Sequence, residues 1–155
     1  MTRFQHQKEA DSSYPDEIQT PEFWPNISMS DFQNIKRIPT EYDAGQQRNA
    51  LVRAINNTII ELGAWEQSQI QAGKTNANQC GQIIDGKGAA ESLFISAVYD
   101  LAKATLLTHF KTVNRREEAN NEAKEERSTY DELVREWQRS VRGILEISSA
   151  SVLLL

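Results

Sequence analysis

The stretch Asp43–Ala72, with the sequence DAGQQRNALVRAINNTIIELGAWEQSQIQA, decides the fold of this chain. Its apolar residues recur at gaps of three, four and seven positions, which is the period of an α-helix with one buried face. These residues are Ala44, Leu51, Ile55, Ile59, Leu62, Trp65 and Ile70. Gly73 follows at the place where a left-handed residue commonly ends a helix. A helix of 30 residues is roughly 45 Å long, so other elements must cover its apolar face.

Two further stretches downstream have the same period. The first predicts a helix over Ala89–His109, whose alanines at positions 90, 97, 102 and 104 keep it slim enough for a neighbour to approach closely. The second predicts a helix that starts at Ser128, with Asp131 at the capping-box position and an apolar stripe that continues to Leu145. The charged run 115–128 between them is either an exposed helical extension or a loop.

A short helix and a polar loop flank the long helix. Ser30 and Gln33 are read as a capping box for the short helix Asp31–Arg37, with Phe32 and Ile35 facing the core. In the loop after Gly73, we expect Ile83 and Ile84 to hold the loop on the core and Asp85 to cap the next helix. The fold class predicted is therefore all-α, a bundle of three long helices plus a short N-terminal one. We expect an extended N-terminal arm at residues 1–28, a helical domain at 29–147 and an apolar tail at 148–155.

Composition excludes several classes of protein. The chain has 155 residues, a net charge of −5 and a single cysteine, Cys80, so it holds neither an internal disulfide nor a cysteine metal cluster. An acidic chain gains no counterion-release energy on DNA, which argues against a free-standing nucleic-acid binder. No apolar run is long enough to span a bilayer, and the N-terminus has no signal-peptide core. The expected compartment is a reducing cytoplasm or an assembly built there.

No catalytic constellation is visible in the sequence. The segment Gly86–Gly88 lacks the spacing of a phosphate loop, and one of the two histidines, His6, lies in the polar N-terminal arm. The motifs of metalloproteases, serine hydrolases and dithiol enzymes are absent from the sequence. We therefore expect no catalytic residues, no metal and no cofactor, and a protein that is not an enzyme.

The two ends of the chain are candidate docking segments. Phe23 and Trp24 lie between two prolines, which favour an extended backbone, so this arm either folds onto its own core or docks on a neighbouring subunit. The chain ends in Val152, Leu153, Leu154 and Leu155 after a serine-rich stretch. Exposed apolar residues of this kind need a cover, which is the protein's own core, a partner or, less favourably without a basic cluster, a membrane.

The order of short features along the chain resembles a known family. The features are Phe23-Trp24-Pro25, Trp65–Gly73, Ile84-Asp85-Gly86, Tyr130–Leu133 and Ser140–Leu145. Together they resemble the head-completion (GpL-type) proteins of temperate contractile-tailed bacteriophages, over roughly residues 22–147. The first twenty residues and the C-terminal apolar tail lie outside this resemblance.

The resemblance implies a structural protein of the virion neck, assembled in the host cytoplasm. Such proteins are small helical head–tail connectors that bind beneath the portal protein after DNA packaging. They form a ring of identical copies, dodecameric in related connectors, which retains the genome and presents a surface for the tail completion protein. Packaged DNA passes through without sequence-specific binding, and no membrane is involved.

Two docking predictions follow from the apolar termini and the resemblance together. We expect Val152–Leu155 to dock on the portal and Phe23 and Trp24 to contact a neighbouring subunit in the ring. The alternative is a helical adaptor that recognises a host partner helix without forming a ring. A DNA-binding regulator would need a basic face, whereas the charges at 115–127 are mixed.

Overall fold

The structure, a computed structural model, describes residues 14–113 and 120–149, with side chains described for 14–109 and 127–149. Four α-helices lie in these ranges: α1 Met29–Lys36, α2 Ala44–Gln71, α3 Ala89–Val113 and α4 Asn120–Leu145. Strands β1 (Glu17–Ile18) and β2 (Ile27–Ser28) pair antiparallel, as do β3 (Ile83–Ile84) and β4 (Lys87–Gly88). A short 3₁₀ turn, Ala77–Gln79, precedes β3. The mostly helical fold predicted from the sequence is confirmed.

Helix α2 has nearly the limits that its sequence predicts. The Asp43 side chain caps the N-terminus by accepting a hydrogen bond of 2.7 Å from the backbone N–H of Gln46. Gly73, just past the C-terminus, has a φ of 91°, a conformation that glycine adopts without steric cost. The apolar stripe faces the core except at Ile70, which is 45% exposed.

Helix α3 lies at the centre of the bundle and packs against both α2 and α4. Its alanines at positions 90, 97, 102 and 104 are all buried. These small side chains therefore let α2 and α4 approach α3 closely within the bundle. Helix α3 also continues past His109, where the sequence predicts its end.

Helix α4 starts at Asn120, well before the Ser128 that was read as its first cap. Ser128 and Asp131 both lie inside the helix, so the capping box predicted there is wrong. The charged residues before Ser128 have good helix propensity, which explains why the helix includes them although they carry no apolar stripe. Of the two alternatives for the charged run, the helical extension is correct from Asn120 onward.

The cap of α1 is Ser28, and the predicted capping box of Ser30 and Gln33 is wrong. Ser28 Oγ accepts a hydrogen bond of 3.2 Å from the backbone N–H of Asp31, while the backbone N–H of Ser30 donates to Asp16 Oδ1 at 2.8 Å. The helix consequently starts two residues earlier, at Met29. Phe32 is fully buried as predicted, whereas Ile35 is 64% exposed and does not face the core.

The hydrophobic core includes the segment that precedes the helices. Ile18, Phe23, Trp24 and Ile27 are all buried in the same cluster as the apolar residues of α2, α3 and α4. Residues 14–28 are thus packed on the bundle. Residues 1–13 lie outside the described ranges, and the domain limits at 28 and 147 stay a prediction.

Candidate interaction surfaces

Phe23 and Trp24 lie inside an aromatic cluster of their own subunit. The Trp24 ring stacks on Phe94 of α3, with centroids 4.4 Å apart, and on Trp65 of α2, with centroids 5.9 Å apart. Phe23 meets Trp24 edge-on at 5.0 Å. The two rings are 5% and 4% exposed. The sequence allows this segment either to pack on the protein's own core or to dock on a neighbouring subunit. In this structure, the rings of Phe23 and Trp24 pack on the protein's own core.

Hydrogen bonds fix the same segment to the bundle. Trp24 Nε1 donates to Glu66 Oε2 of α2 at 3.3 Å, and the carbonyl of Phe23 accepts from the backbone N–H of Ala77 at 2.8 Å. The Tyr99 hydroxyl donates to the carbonyl of Ser28 at 3.0 Å, and burial raises the pKa of Tyr99 to about 12. A contact between this segment and a neighbouring subunit stays a prediction, and in this conformation it would have to use the outer surface of residues 14–28.

The C-terminal segment is held at the end of the bundle where α2 also ends. Trp65 Nε1 donates to the carbonyl of Ile147 at 3.0 Å. With the Gln69 amide oriented to satisfy its neighbours, its oxygen accepts from the backbone N–H of Ser149 at 3.3 Å. The predicted portal-binding residues Val152–Leu155 lie outside the described residues, so their docking stays a prediction.

Strands β3 and β4 form a hairpin that the sequence analysis read incorrectly. Ile83 and Ile84 are each 71% exposed, so they do not hold the loop on the core. Asp85 and Gly86 have φ angles of 52° and 75°, which is the pattern of a two-residue type I′ turn, so Asp85 does not cap α3. The Asp-Gly pair between short apolar segments is the sequence signal that could have revealed this hairpin.

Exposed apolar side chains gather at the end of the bundle that carries this hairpin. The contacts of Ile147 and Ser149 with α2 place the C-terminal ends of α2 and α4 together. The hairpin directly precedes the N-terminus of α3, which lies at the same end of the bundle. The large exposed side chains here are Ile70, Ile83, Ile84 and Leu145. We call these four residues the apolar end. Large apolar side chains that are exposed near one end of a bundle mark that end as a candidate protein-binding surface.

A charged cluster joins α1 to α3. Lys36 forms an ion pair with Asp100, and Lys103 Nζ donates to the carbonyl of Lys36 at 2.9 Å. Burial raises the pKa of Asp100, against the opposing effect of Lys36, and burial lowers the pKa of Lys103. The cluster therefore ties the C-terminal end of α1 to the central helix α3.

The described residues offer little for metal or thiol chemistry. No three His, Cys, Asp or Glu side chains among them come together in a way that could hold a metal ion. Cys80 is buried, and burial raises the pKa of its thiol, which disfavours the reactive thiolate. Within the described ranges, no helix is both long enough and apolar enough to cross a membrane.

Comparison with known proteins identifies the family. A profile of the family described as phage head completion protein (GPL) matches residues 18–155, which is most of the chain. The chain belongs to the phage head completion proteins. This is a family of structural phage proteins rather than of enzymes. The matched range includes both the segment with Phe23 and Trp24 and the C-terminal apolar tail.

A relative of this head completion protein agrees with the assignment. It is described as "Probable head completion/stabilization protein" of Haemophilus phage HP1 (strain HP1c1), and it is 30% identical over 96 residues. The match covers 61% of this chain and 64% of the relative, so the chain spans less than two thirds of that protein's length. No solved structure matches the chain.

Proposed function

We propose that this head completion protein forms a ring beneath the portal protein once DNA has been packaged. In that position it retains the genome and provides the surface to which the tail completion protein attaches. The observation that carries the proposal is the apolar end, because a bundle that exposes Ile70, Ile83, Ile84 and Leu145 at one end is suited to docking on another protein. The name of the HP1 relative supports the same role in head completion or stabilisation.

In this proposal, the C-terminal residues Val152–Leu155 dock on the portal. They follow Ile147 and Ser149, which Trp65 and Gln69 hold at the apolar end, and this supports the proposal that the tail and the apolar end act on the same partner. A single short apolar tail binds weakly because ordering its backbone offsets much of the gain from burial. Several tails that act together on a symmetric partner bind firmly through effective concentration.

The ring needs two different patches on each subunit, since a head-to-tail interface that closes by rotation joins unlike surfaces. We propose residues 14–28 as one of them. Phe23 and Trp24 position this segment from inside the core, and exposed residues such as Glu17, Pro21 and Glu22 would face the neighbour. The net charge of −5 favours a channel through which DNA slides without being gripped.

Co-sedimentation with assembled portal tests the docking of the tail. We compare the full chain with a variant in which Val152, Leu153, Leu154 and Leu155 are all replaced by serine, which keeps the chain length. The serine variant should lose most of its binding, while its circular dichroism stays that of a folded helical protein. Equal binding by both proteins would contradict portal docking through the tail.

The mass of the complex distinguishes the ring from a helical adaptor that acts without one. Native mass spectrometry of the portal complex should show many copies of this chain on each portal, in a number that matches the portal's symmetry. A single copy, or binding only to a host protein, would favour the adaptor.

A further inference from the structure

The hairpin β3–β4 presents two isoleucines from a firmly held base. Its two-residue turn, Asp85-Gly86, fits the type I′ geometry that matches the twist of paired strands. At the base, the backbone N–H of Gly88 donates to Asn78 Oδ1 at 2.7 Å. A Cβ on Gly88 would lie only 2.2 Å from the carbonyl oxygen of Asn78, so the two segments pack without a gap. Ile83 and Ile84 are thus displayed on a fixed scaffold.

Within the described residues, strand β3 is exposed on both of its faces and along its outer edge, whereas Asn78 covers the hairpin at Gly88 of β4. Successive strand residues point to opposite faces, and Ile83 and Ile84 are each 71% exposed. Ile84 and Lys87 flank the two-residue turn as partners, so they form the hydrogen-bonded pair. The backbone N–H and C=O of Ile83 therefore point to the outer edge of a sheet that has two strands. A free edge of this kind accepts another strand.

The C-terminal tail leaves the described part of the chain beside this hairpin. Ile147 Cδ1 lies 3.2 Å from the position that a Cβ on Gly81 would occupy, and Gly81 is two residues before Ile83. From Ser149 to Leu155 the sequence advances by six residues, which can extend to about 20 Å. Val152–Leu155 can therefore reach Ile83 and Ile84 of the same subunit without any rearrangement of the bundle.

The chemistry of the tail complements that of the hairpin. Four consecutive aliphatic residues supply side chains for both uncovered faces, since neighbours in a strand alternate in direction. Attachment to the same subunit also gives the tail a high effective concentration at this site, which a tail from a second copy lacks in dilute solution.

We propose that Val152–Leu155 pairs with β3 of its own subunit as a third strand and covers Ile83 and Ile84. In the free protein, the tail and the hairpin then shield each other from solvent. If the tail docks on the portal as proposed above, this contact must open first, and the hairpin becomes exposed at the moment of docking. That consequence rests on the proposed function, whereas the intramolecular contact does not.

Amide hydrogen exchange in the absence of portal tests the contact directly. The reporter is the backbone N–H of Ile83, measured by NMR in the full chain and in the variant with serines at 152–155. We expect exchange at Ile83 to be at least about tenfold faster in the serine variant. The amide of Ala90, which donates to the carbonyl of Cys80 at 3.1 Å, serves as the internal control and should exchange equally in both proteins.

A second variant checks the other side of the contact. Ile83→Ser with Ile84→Ser and the native tail should speed exchange of the amides of Leu153–Leu155 while leaving Ala90 unchanged. Equal exchange at Ile83 in the full chain and the serine-tail variant would overturn the proposal. Protection that grows with protein concentration, together with a dimer in sedimentation, would overturn it too, because the tail of a second copy would then be the occupant. Since no portal is present, failure here is distinct from failure of portal docking.

Discussion

The indole ring of Trp24 stacks on the ring of Phe94, with centroids 4.4 Å apart and planes inclined by 16°. This contact joins the segment before the first helix to the central helix α3. Trp65 of α2 also stacks on Trp24, with ring centroids 5.9 Å apart, so three separate parts of the chain meet at one side chain. The aromatic arm is therefore a structural part of the subunit, and any role in assembly passes through its outer surface.

The burial of Trp24 predicts a large effect of its removal. Trp24→Ala should lower the free energy of unfolding by about 3–5 kcal/mol, because it leaves a cavity between α2 and α3. Tyr14→Ala is the matched control, since Tyr14 lies in the same segment but is 46% exposed. Its ring contact with the Arg48 guanidinium, 5.8 Å from the centroid, contributes about 1 kcal/mol or less. Urea unfolding measures the free energy of unfolding of both variants. Similar losses of stability in Trp24→Ala and Tyr14→Ala would contradict the burial of Trp24 in the aromatic cluster.

Gly88 should not tolerate a side chain. In Gly88→Ala, the new Cβ would meet the backbone carbonyl of Asn78 at 2.2 Å, so the hairpin must separate from the 3₁₀ turn. We expect a clear loss of thermal stability and faster amide exchange at the hairpin base. Gly63→Ala is the control, because nothing lies within 4 Å of the corresponding position on α2 and alanine is favoured by about 0.5–1 kcal/mol inside a helix. A stable Gly88→Ala variant would contradict the close packing at Asn78.

Asp100 should make stability depend on pH in a defined direction. Burial raises the pKa of Asp100 in the native state above the ordinary value of 3.8. At a pH between the ordinary pKa and the raised native pKa, the native state therefore holds the proton more tightly than the unfolded chain does. Stability from this group is therefore present at low pH and is lost as pH rises through the native pKa.

The variant Asp100→Asn isolates this dependence, because asparagine has a similar shape and does not titrate. We measure urea unfolding of both proteins from about pH 4 to about pH 8. The stability of the wild type relative to Asp100→Asn should fall as pH rises and then level off. A difference that grows with pH would mean that pairing with Lys36 outweighs burial.

The parts of the fold that the sequence predicts correctly are those in which local and long-range signals agree. Asp43, the apolar stripe and Gly73 all indicate the same limits for α2, and the structure gives them. Helix α4 was placed too late because its first turns carry no apolar stripe, and only propensity shows that they are helical. In α1, the cap was misplaced because Asp16, fourteen residues before Ser30 in the chain, accepts hydrogen bonds from the backbone N–H and the hydroxyl of Ser30.

The candidate surfaces were harder to predict because burial is a property of the whole fold. Ile83 and Ile84 are as apolar as the core residues of α2, and an apolar pair in a polar loop usually faces inward. The hairpin turn at Asp85-Gly86 turns them outward instead. Conversely, the prolines around Phe23 and Trp24 predict an extended backbone but not the surface on which it packs, which depends on the gap between Trp65 and Phe94.

Protection of a packaged genome tests the central claim most directly. DNA-filled heads are prepared from a phage that lacks this chain, incubated with the purified protein, and treated with nuclease. We predict that the full chain keeps the DNA nuclease-resistant and makes the heads competent for tail attachment, whereas the variant with serines at 152–155 does neither. If DNA is degraded equally with and without the full chain, this protein does not complete the head.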